Sequence, residues 1–98
     1  MHTLTAIIRA KSGADADVRS ALLKVGQFAR DHEPDTIEFH VSQDPDDPCL
    51  FTTYEMFTDK DAMQRHNDGA GSQGFFAEAG DLLEGDVTVV TAKEIWPV

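Results

Sequence analysis

The spacing of apolar and polar side chains divides the chain into short strands and helices. Residues 3–10 alternate with period two, which is the pattern of a strand with one buried face. From Asp15 onward the apolar residues recur every three or four positions, which predicts an amphipathic helix that ends before Pro34. Period-two alternation then returns in three further predicted strands, residues 36–43, 49–57 and 86–96.

Turn and capping residues separate these elements. Residues 44–48, with the sequence DPDDP, are typical of a tight turn and predict a hairpin between the second and third strands. Asp59 is placed to cap a helix whose apolar side carries Ala62, Met63 and His66. The glycine-rich residues 67–74 are expected to interrupt that helix, and helical spacing resumes at Phe75 and ends at Gly85.

The predicted order of elements is β-α-β-β-α-β, with the second helical region broken in two. This order is the split βαβ arrangement of ferredoxin-like α+β folds, in which an antiparallel sheet carries its helices on one face. Residues 1–98 suffice for a single domain of this kind. Because the first and last predicted strands are apolar on both faces, we expect the uncovered sheet face to pair with a second copy in a homodimer.

Composition and charge narrow the class of partner. The 18 acidic residues outnumber the 8 basic ones, and the net charge of −10 disfavours nucleic acids and anionic membrane surfaces. No apolar run approaches the roughly 20 residues that cross a bilayer, and residues 1–10 lack the pattern of a signal peptide. The single cysteine, Cys49, excludes an internal disulfide. We therefore expect a cytoplasmic protein.

The sequence predicts no metal site. Asp44, Asp46 and Glu55 occupy the first, third and twelfth positions of a calcium-loop pattern, but Cys49 takes the place of the required glycine. No pair of histidines or cysteines has the spacing of zinc ligands. A phosphate-binding loop and a dinucleotide-binding glycine motif are also missing, so we expect no cofactor.

Five motifs in this order resemble those of a known family. They are the turn 11–13, the hairpin loop 44–48, the strand end 54–57 (YEMF), the helix 61–66 (DAMQRH) and the aromatic pair 75–76. Together they resemble the antibiotic biosynthesis monooxygenase domain proteins, which are small dimeric α/β barrels and include quinol monooxygenases. The resemblance implies that oxygen reacts directly with an electron-rich phenolate or enolate, without flavin or metal.

Two positions depart from that family pattern. Phe57 stands where family members commonly carry tryptophan, and Gly71 stands where many carry a second histidine. The asparagine, tryptophan and histidine on which the haem-degrading members rely are missing from the corresponding positions, so the resemblance does not extend to haem degradation.

The implied chemistry needs a base and a pocket that excludes water. His66 is the candidate base, since histidine titrates near neutral pH and the helical spacing turns it toward the apolar side. The alternative is a helix-end histidine with a structural role. Glu55 is the second catalytic candidate, because it shares a strand face with Phe57 and would lie in an apolar cleft. The alternative for Glu55 is an ion pair with a lysine or arginine near the edge of the strand.

The candidate substrate-binding residues are those that could surround a flat aromatic ligand. His40 could instead lie at the dimer interface, and the aromatic side chains could instead be ordinary core residues. The set comprises Phe39, His40, Tyr54, Phe57, Phe75 and Phe76.

The expected function is that of a cofactor-independent monooxygenase that oxidises a quinol or polycyclic phenol with molecular oxygen. Its expected partners are therefore a small aromatic molecule, oxygen and a second copy of the chain. Two alternatives stay open. One is a non-enzymatic small-molecule-binding or stress-response barrel of the same fold, and the other is an isomerase of a small hydroxy-ketone, which needs the same base but no oxygen.

Overall fold

A computed structural model describes all 98 residues and contains one four-stranded antiparallel sheet. The strand order is β2-β3-β1-β4, and three helices pack on one face of the sheet. The ferredoxin-like α+β fold predicted from the sequence is confirmed. The strands are β1 (His2–Arg9), β2 (Thr36–Gln43), β3 (Leu50–Phe57) and β4 (Thr88–Lys93), and the helices are α1 (Asp15–His32), α2 (Lys60–Asp68) and α3 (Ala70–Ala79).

The core forms where alternate residues of the central strands meet the helices. On β1, Leu4, Ala6 and Ile8 are buried, whereas Ile7 between them is exposed, because successive side chains of a strand point to opposite faces. The helices contribute Val18, Ala21, Leu22, Val25, Ala62, Met63, Phe75 and Ala79 to the same core.

None of the three helices combines the length and the apolar composition needed to cross a membrane.

The opposite face of the sheet is exposed in the single chain. It carries Ile7, Tyr54 and Val90, which are 47%, 41% and 59% exposed. Tyr54 and Val90 both pair with Thr5 across neighbouring strands, so their side chains share one face. The homodimer expected at this face stays a prediction, and light scattering in solution tests it.

The hairpin and the helix cap form as predicted. The turn after β2 is held by the Asp44 side chain, whose Oδ1 accepts hydrogen bonds from the backbone N–H groups of Asp46 and Asp47 at 2.8 and 3.1 Å. Asp59 precedes α2, and its Oδ1 accepts a hydrogen bond from the N–H of Ala62 at 2.8 Å.

The second helical region is more continuous than its glycines predict. The predicted break of this region into two helices is confirmed, but it is confined to Gly69, and the helix resumes at Ala70 and not at Phe75. Residues 80–82 form a single 3-10 turn instead of continuing the α-helix. Tertiary packing of α3 against α1 therefore overrides the low helix propensity of glycine.

The last strand is shorter than predicted. It covers Thr88–Lys93 rather than residues 86–96. Its only neighbour is β1, in which His2 pairs with Lys93 and Ile7 pairs with Thr88. The N–H of Glu94 still donates to the carbonyl oxygen of Met1 at 3.0 Å, but β1 begins at His2, so the alternation at residues 95 and 96 does not extend the ladder.

A bulge in β2 changes which of its apolar residues face the core. β3 pairs with Thr36 and then with Glu38 at successive positions, so that Ile37 is the extra residue. Phe39 and Val41 pack against the core, whereas Ile37 is 45% exposed. The prediction that these three apolar residues share one face is wrong for Ile37, because an inserted residue breaks the period of two.

Gly71 lies where α3 packs against α1. A Cβ at this position would stand 2.9 Å from Cδ1 and 3.3 Å from Cβ of Phe28. Gly74, one turn later in the same helix, faces open space. The close approach of the two helices therefore requires glycine at position 71 but not at position 74.

These two glycines should respond to alanine with opposite signs. We expect Gly71→Ala to destabilise the protein by about 1–3 kcal/mol, because the Phe28 ring must move. We expect Gly74→Ala to stabilise it by roughly 0.5–1 kcal/mol through the greater helix propensity of alanine. Urea denaturation of both variants measures the difference, and a similar loss of stability in both would contradict this account.

Candidate active site

One side of α2 packs into the core. Ala62, Met63 and His66 are its buried residues, as their helical spacing predicts. His66 lies in the last turn of the helix and is 3% exposed. The carboxyl end of a helix favours a positive charge, so this position suits a protonated imidazole.

Two carboxylates contact the two ring nitrogens of His66. Its Nδ1 lies 2.6 Å from Oε1 of Glu33, and its Nε2 lies 3.1 Å from Oε1 of Glu55. Glu33 directly follows α1, Glu55 lies in β3, and His66 lies in α2. The cluster is therefore assembled from three separate elements, and its side chains are buried or nearly so.

Threonine hydroxyl groups complete the hydrogen bonding of both carboxylates. The hydroxyl of Thr53 donates to Oε2 of Glu55 at 2.7 Å, and the hydroxyl of Thr36 donates to Oε1 of Glu33 at 2.9 Å. Every buried polar side-chain atom in the protein has a partner. Because an unpaired polar group is costly in a low-dielectric interior, this closed network holds the cluster in one arrangement.

The surroundings raise the pKa of His66. Burial is the largest single influence and lowers this pKa, because the cation loses its hydration. The hydrogen bonds and negative charges of Glu55 and Glu33 act in the opposite direction and together prevail, so the pKa lies above its ordinary value. A neutral imidazole donates from only one nitrogen. With an acceptor oxygen at each nitrogen, the site favours an imidazolium that donates to both.

The sequence suggests that His66 is a catalytic base, and the protonation state of its ring decides whether it can act as one. An imidazolium has no lone pair with which to accept a proton. Glu55 is the adjacent group that retains acceptor oxygens while it contacts His66 at 3.1 Å. The role of His66 as the base therefore stays a prediction, as does the catalytic role of Glu55.

A cleft of about 200 Å³ opens between the sheet and the helices beside this cluster. Its polar end is formed by Thr53, Glu55 and His66, together with Asn67 and Ser72. The remaining wall is apolar and comes from β1, β2, α1, α3 and the segment around β4. It includes Leu4, Ala6, Ile8, Leu22, Val25 and Val87.

The cleft has one open side. Phe76 and Val89 both line it and are 51% and 52% exposed, so the opening lies between α3 and β4. A ligand that enters there meets apolar side chains first and the acid–base cluster at the inner end. No group of three or more His, Cys, Asp or Glu side chains has the arrangement of a metal site.

Comparison with known protein families shows the family to which this chain belongs. The family model described as antibiotic biosynthesis monooxygenase matches residues 1–78. The chain belongs to the antibiotic biosynthesis monooxygenase family. The resemblance inferred from the five sequence motifs is thereby confirmed. A search among curated protein sequences finds no significant match.

Solved structures share the fold of this family member over nearly their whole length. A Nitrosomonas europaea protein, provisionally described as an antibiotic biosynthesis monooxygenase, has a TM-score of 0.89 at 20% identity, covering 98% of this chain and 100% of that one. A Pseudomonas aeruginosa protein has a TM-score of 0.86 at 24% identity, with coverages of 97% and 94%. A Mycobacterium tuberculosis protein has a TM-score of 0.88 at 17% identity, with coverages of 98% and 96%. At these identities the likeness shows the fold alone.

In this antibiotic biosynthesis monooxygenase domain, the cleft brings together most of the candidates chosen from the sequence. Phe57 is not among them, because it is fully buried beneath the histidine, with ring centroids 5.2 Å apart. It supports the imidazole instead of lining the cleft. The sequence-predicted residues that do line the cleft are Phe39, Glu55, His66, Phe75 and Phe76.

His40 and Tyr54 do not reach the cleft. Both lie on the exposed sheet face, where their ring centroids are 6.3 Å apart and Nε2 of His40 lies 3.0 Å from Oε1 of Glu38. Side chains alternate along a strand, so the inward direction of Phe39 and Glu55 turns their immediate neighbours outward. The prediction that His40 and Tyr54 line the ligand site of their own chain is therefore wrong.

Glu33 was missed by sequence reasoning. It lies between a helix end and Pro34, in a polar segment that reads as an ordinary surface loop. No periodicity relates it to His66, which is 33 residues away in the chain. No sequence signal marked it as part of the cluster.

Proposed function

We propose that this protein is a cofactor-independent monooxygenase that oxidises a quinol or phenol with molecular oxygen. The observation that carries the proposal is the Glu55–His66 pair at the polar end of an otherwise apolar cleft. Family membership supports the reaction class. A volume of about 200 Å³ is below the roughly 300–1,000 Å³ of sites for drug-sized ligands, which favours a flat substrate of one or two fused rings.

In the proposed reaction the substrate supplies all the electrons. A quinol with a free ring position takes one atom of O₂ into a new carbon–oxygen bond and becomes a hydroxyquinone. The second oxygen atom leaves as water with two hydrogens of the substrate. No external reductant is therefore needed. The protein has to remove a hydroxyl proton, because the phenolate is far richer in electrons than the phenol.

The residues at the polar end have distinct parts in this reaction. Glu55 accepts the proton of the substrate hydroxyl group, for which an acceptor-only carboxylate is suited. The adjacent imidazolium of His66 stabilises the negative charge that develops on the substrate and on oxygen. Nε2 of His66 then gives its proton to the departing oxygen atom, and the adjacent Glu55 passes the substrate proton on to Nε2. The apolar walls keep water from this exchange, so the proton stays within the pair and the substrate.

Oxygen incorporation tests the proposal directly. Reduced menadiol is prepared with the protein under anaerobic conditions, and isotopically labelled O₂ is then admitted in the presence of catalase. We expect oxygen uptake faster than in buffer and a hydroxylated menadione that carries one labelled atom, detected by mass spectrometry.

The outcomes of this experiment separate the alternatives. Menadione without a labelled atom, formed at the rate seen in buffer, would overturn the monooxygenase proposal for this substrate class. Binding of menadiol without turnover would instead support a non-enzymatic small-molecule-binding barrel. Conversion of a small hydroxy-ketone without oxygen uptake would support an isomerase.

A further inference from the structure

Glu33 contacts the catalytic pair from outside the cleft. It approaches Nδ1 of His66, while the cleft lies on the side of Glu55. Its own side chain is 14% exposed and borders a separate surface depression that also includes Pro34 and Thr36. Glu33 therefore has no contact with a ligand in the cleft, and any effect on the reaction must pass through His66.

We propose that Glu33 is a positioning residue that keeps a proton on Nδ1 of His66, so that Nε2 is the nitrogen that gives up and takes back the mobile proton. Nε2 is the nitrogen next to Glu55 and the cleft. The catalytic meaning of this assignment rests on the proposed function. The proton position itself is a property of the resting protein and can be measured without turnover.

The two ring nitrogens make unequal contacts, since only Nδ1 has the geometry of a hydrogen bond to its carboxylate. The contact of Nδ1 with Glu33 is 2.6 Å, whereas that of Nε2 with Glu55 is 3.1 Å. Shorter charge-assisted hydrogen bonds are the stronger ones. When the imidazolium loses one proton, it loses the one that is held less strongly, which is the proton on Nε2. In a neutral histidine the hydrogen bond at one nitrogen decides which tautomer remains.

The backbone and a neighbouring hydroxyl group fix the direction of the Glu33 side chain. The N–H of Glu33 donates to the carbonyl oxygen of Ala29 at 2.9 Å, and its carbonyl oxygen accepts from the N–H of Thr36 at 3.1 Å. The hydroxyl of Thr36 donates to the carboxylate oxygen that contacts His66. The backbone N–H, the backbone carbonyl and the carboxylate of Glu33 are thus all hydrogen-bonded. A side chain fixed in this way can orient the residue that it contacts.

The other groups around the ring do not compete for its protons. The rings of Phe39 in β2 and Phe57 in β3 pack beside it, with centroids 5.7 and 5.2 Å away. Arg65 on α2 pairs with Asp35 at 3.0 Å on the surface. Glu33 at the end of α1 and Glu55 in β3 are the charged groups that contact the imidazole nitrogens.

The variants Glu33→Gln and Glu33→Ala test this role through the ring-nitrogen NMR signals of His66, followed over pH. We expect Glu33→Gln to keep the proton on Nδ1, because the amide oxygen still accepts it, but to lower the pH at which the ring becomes neutral. We expect Glu33→Ala to move the neutral-state proton to Nε2, where Glu55 accepts it. Because glutamine preserves size and hydrogen bonding, Glu33→Gln remains informative where Glu33→Ala fails to fold.

The matched control is Glu38→Gln, since Glu38 contacts the exposed His40 at 3.0 Å and leaves His66 untouched. We expect this variant to leave the His66 signals unchanged. Unchanged signals in both Glu33 variants would overturn the positioning role. In the menadiol assay we expect kcat to fall at least about tenfold in Glu33→Ala while KM stays within about twofold, with Glu33→Gln less affected.

The two proposals can fail separately. If the His66 signals change as expected but wild-type protein does not oxygenate, the positioning role stands and the monooxygenase proposal fails for that substrate. If wild-type protein oxygenates and neither Glu33 variant alters the signals, the monooxygenase proposal stands and the positioning role fails.

Discussion

Replacement of His66 by leucine is expected to destabilise the protein by about 3–5 kcal/mol at neutral pH. The variant leaves Glu33 and Glu55 facing the same buried space with no cation between them. Leucine fills much of the space beside Phe39 and Phe57, so the loss comes mainly from uncompensated charge and less from a cavity. Urea denaturation near pH 7 measures the effect.

Two further variants separate the contributions of charge and packing to this loss of stability. We expect His32→Leu to change stability by less than about 0.5 kcal/mol, because His32 is exposed and contacts only the ring of Phe28 among the aromatic residues. Adding Glu33→Gln and Glu55→Gln to His66→Leu should restore much of the loss, since the buried charges are then removed. A His66→Leu variant as stable as His32→Leu would contradict the charge argument.

The same cluster should make wild-type stability depend on pH. Because the folded-state pKa of His66 is raised, its protonation stabilises the folded protein fully below the unfolded pKa, which is about 6.5. That contribution is lost as the pH rises through the folded-state pKa. In this range the free energy of unfolding of the wild type should therefore decline with pH, and the decline should be missing from His66→Leu.

Replacement of Glu55 by glutamine is expected to lower the rate of menadiol oxygenation by about 10²- to 10⁴-fold, with little change in KM. Glutamine keeps the size of the side chain, and its amide can still hydrogen-bond to His66 and to Thr53. It cannot take up the substrate proton. Oxygen uptake under the conditions that detect wild-type turnover measures the loss.

The control for this variant is Glu78→Gln. Glu78 is an exposed carboxylate of α3 that pairs with Lys24 of α1 at 2.8 Å. Removal of this surface ion pair should cost less than about 1 kcal/mol of stability and leave the rate unchanged. If Glu55→Gln oxygenates menadiol at the wild-type rate, Glu55 is not the group that takes up the substrate proton.

Packing accounts for the two departures from the family pattern. Phe57 is fully buried and lies against the ring of His66, so an aromatic residue still supports the histidine from below. Gly71 packs against Phe28 so closely that a larger side chain would force this ring to move. In this chain, position 71 serves the contact between two helices and is not free to carry a second histidine.

The sequence alone was sufficient for the fold class and for the part of the site that lies on regular elements. Period-two and helical spacing are local properties, and they correctly placed Glu55 on the inner face of β3 and His66 on the buried side of α2. The cap at Asp59 and the hairpin turn were also readable, because they depend on residues only a few positions apart.

Only the tertiary structure decided how these residues combine. The bulge at Ile37 and the early end of β4 depend on pairing with strands that are distant in the chain. The contact of Glu33 with His66 depends on where the end of α1 lies relative to α2. Periodicity carries no information about such distances, so the sequence indicated a histidine in a cleft, while packing placed it between two carboxylates and raised its pKa.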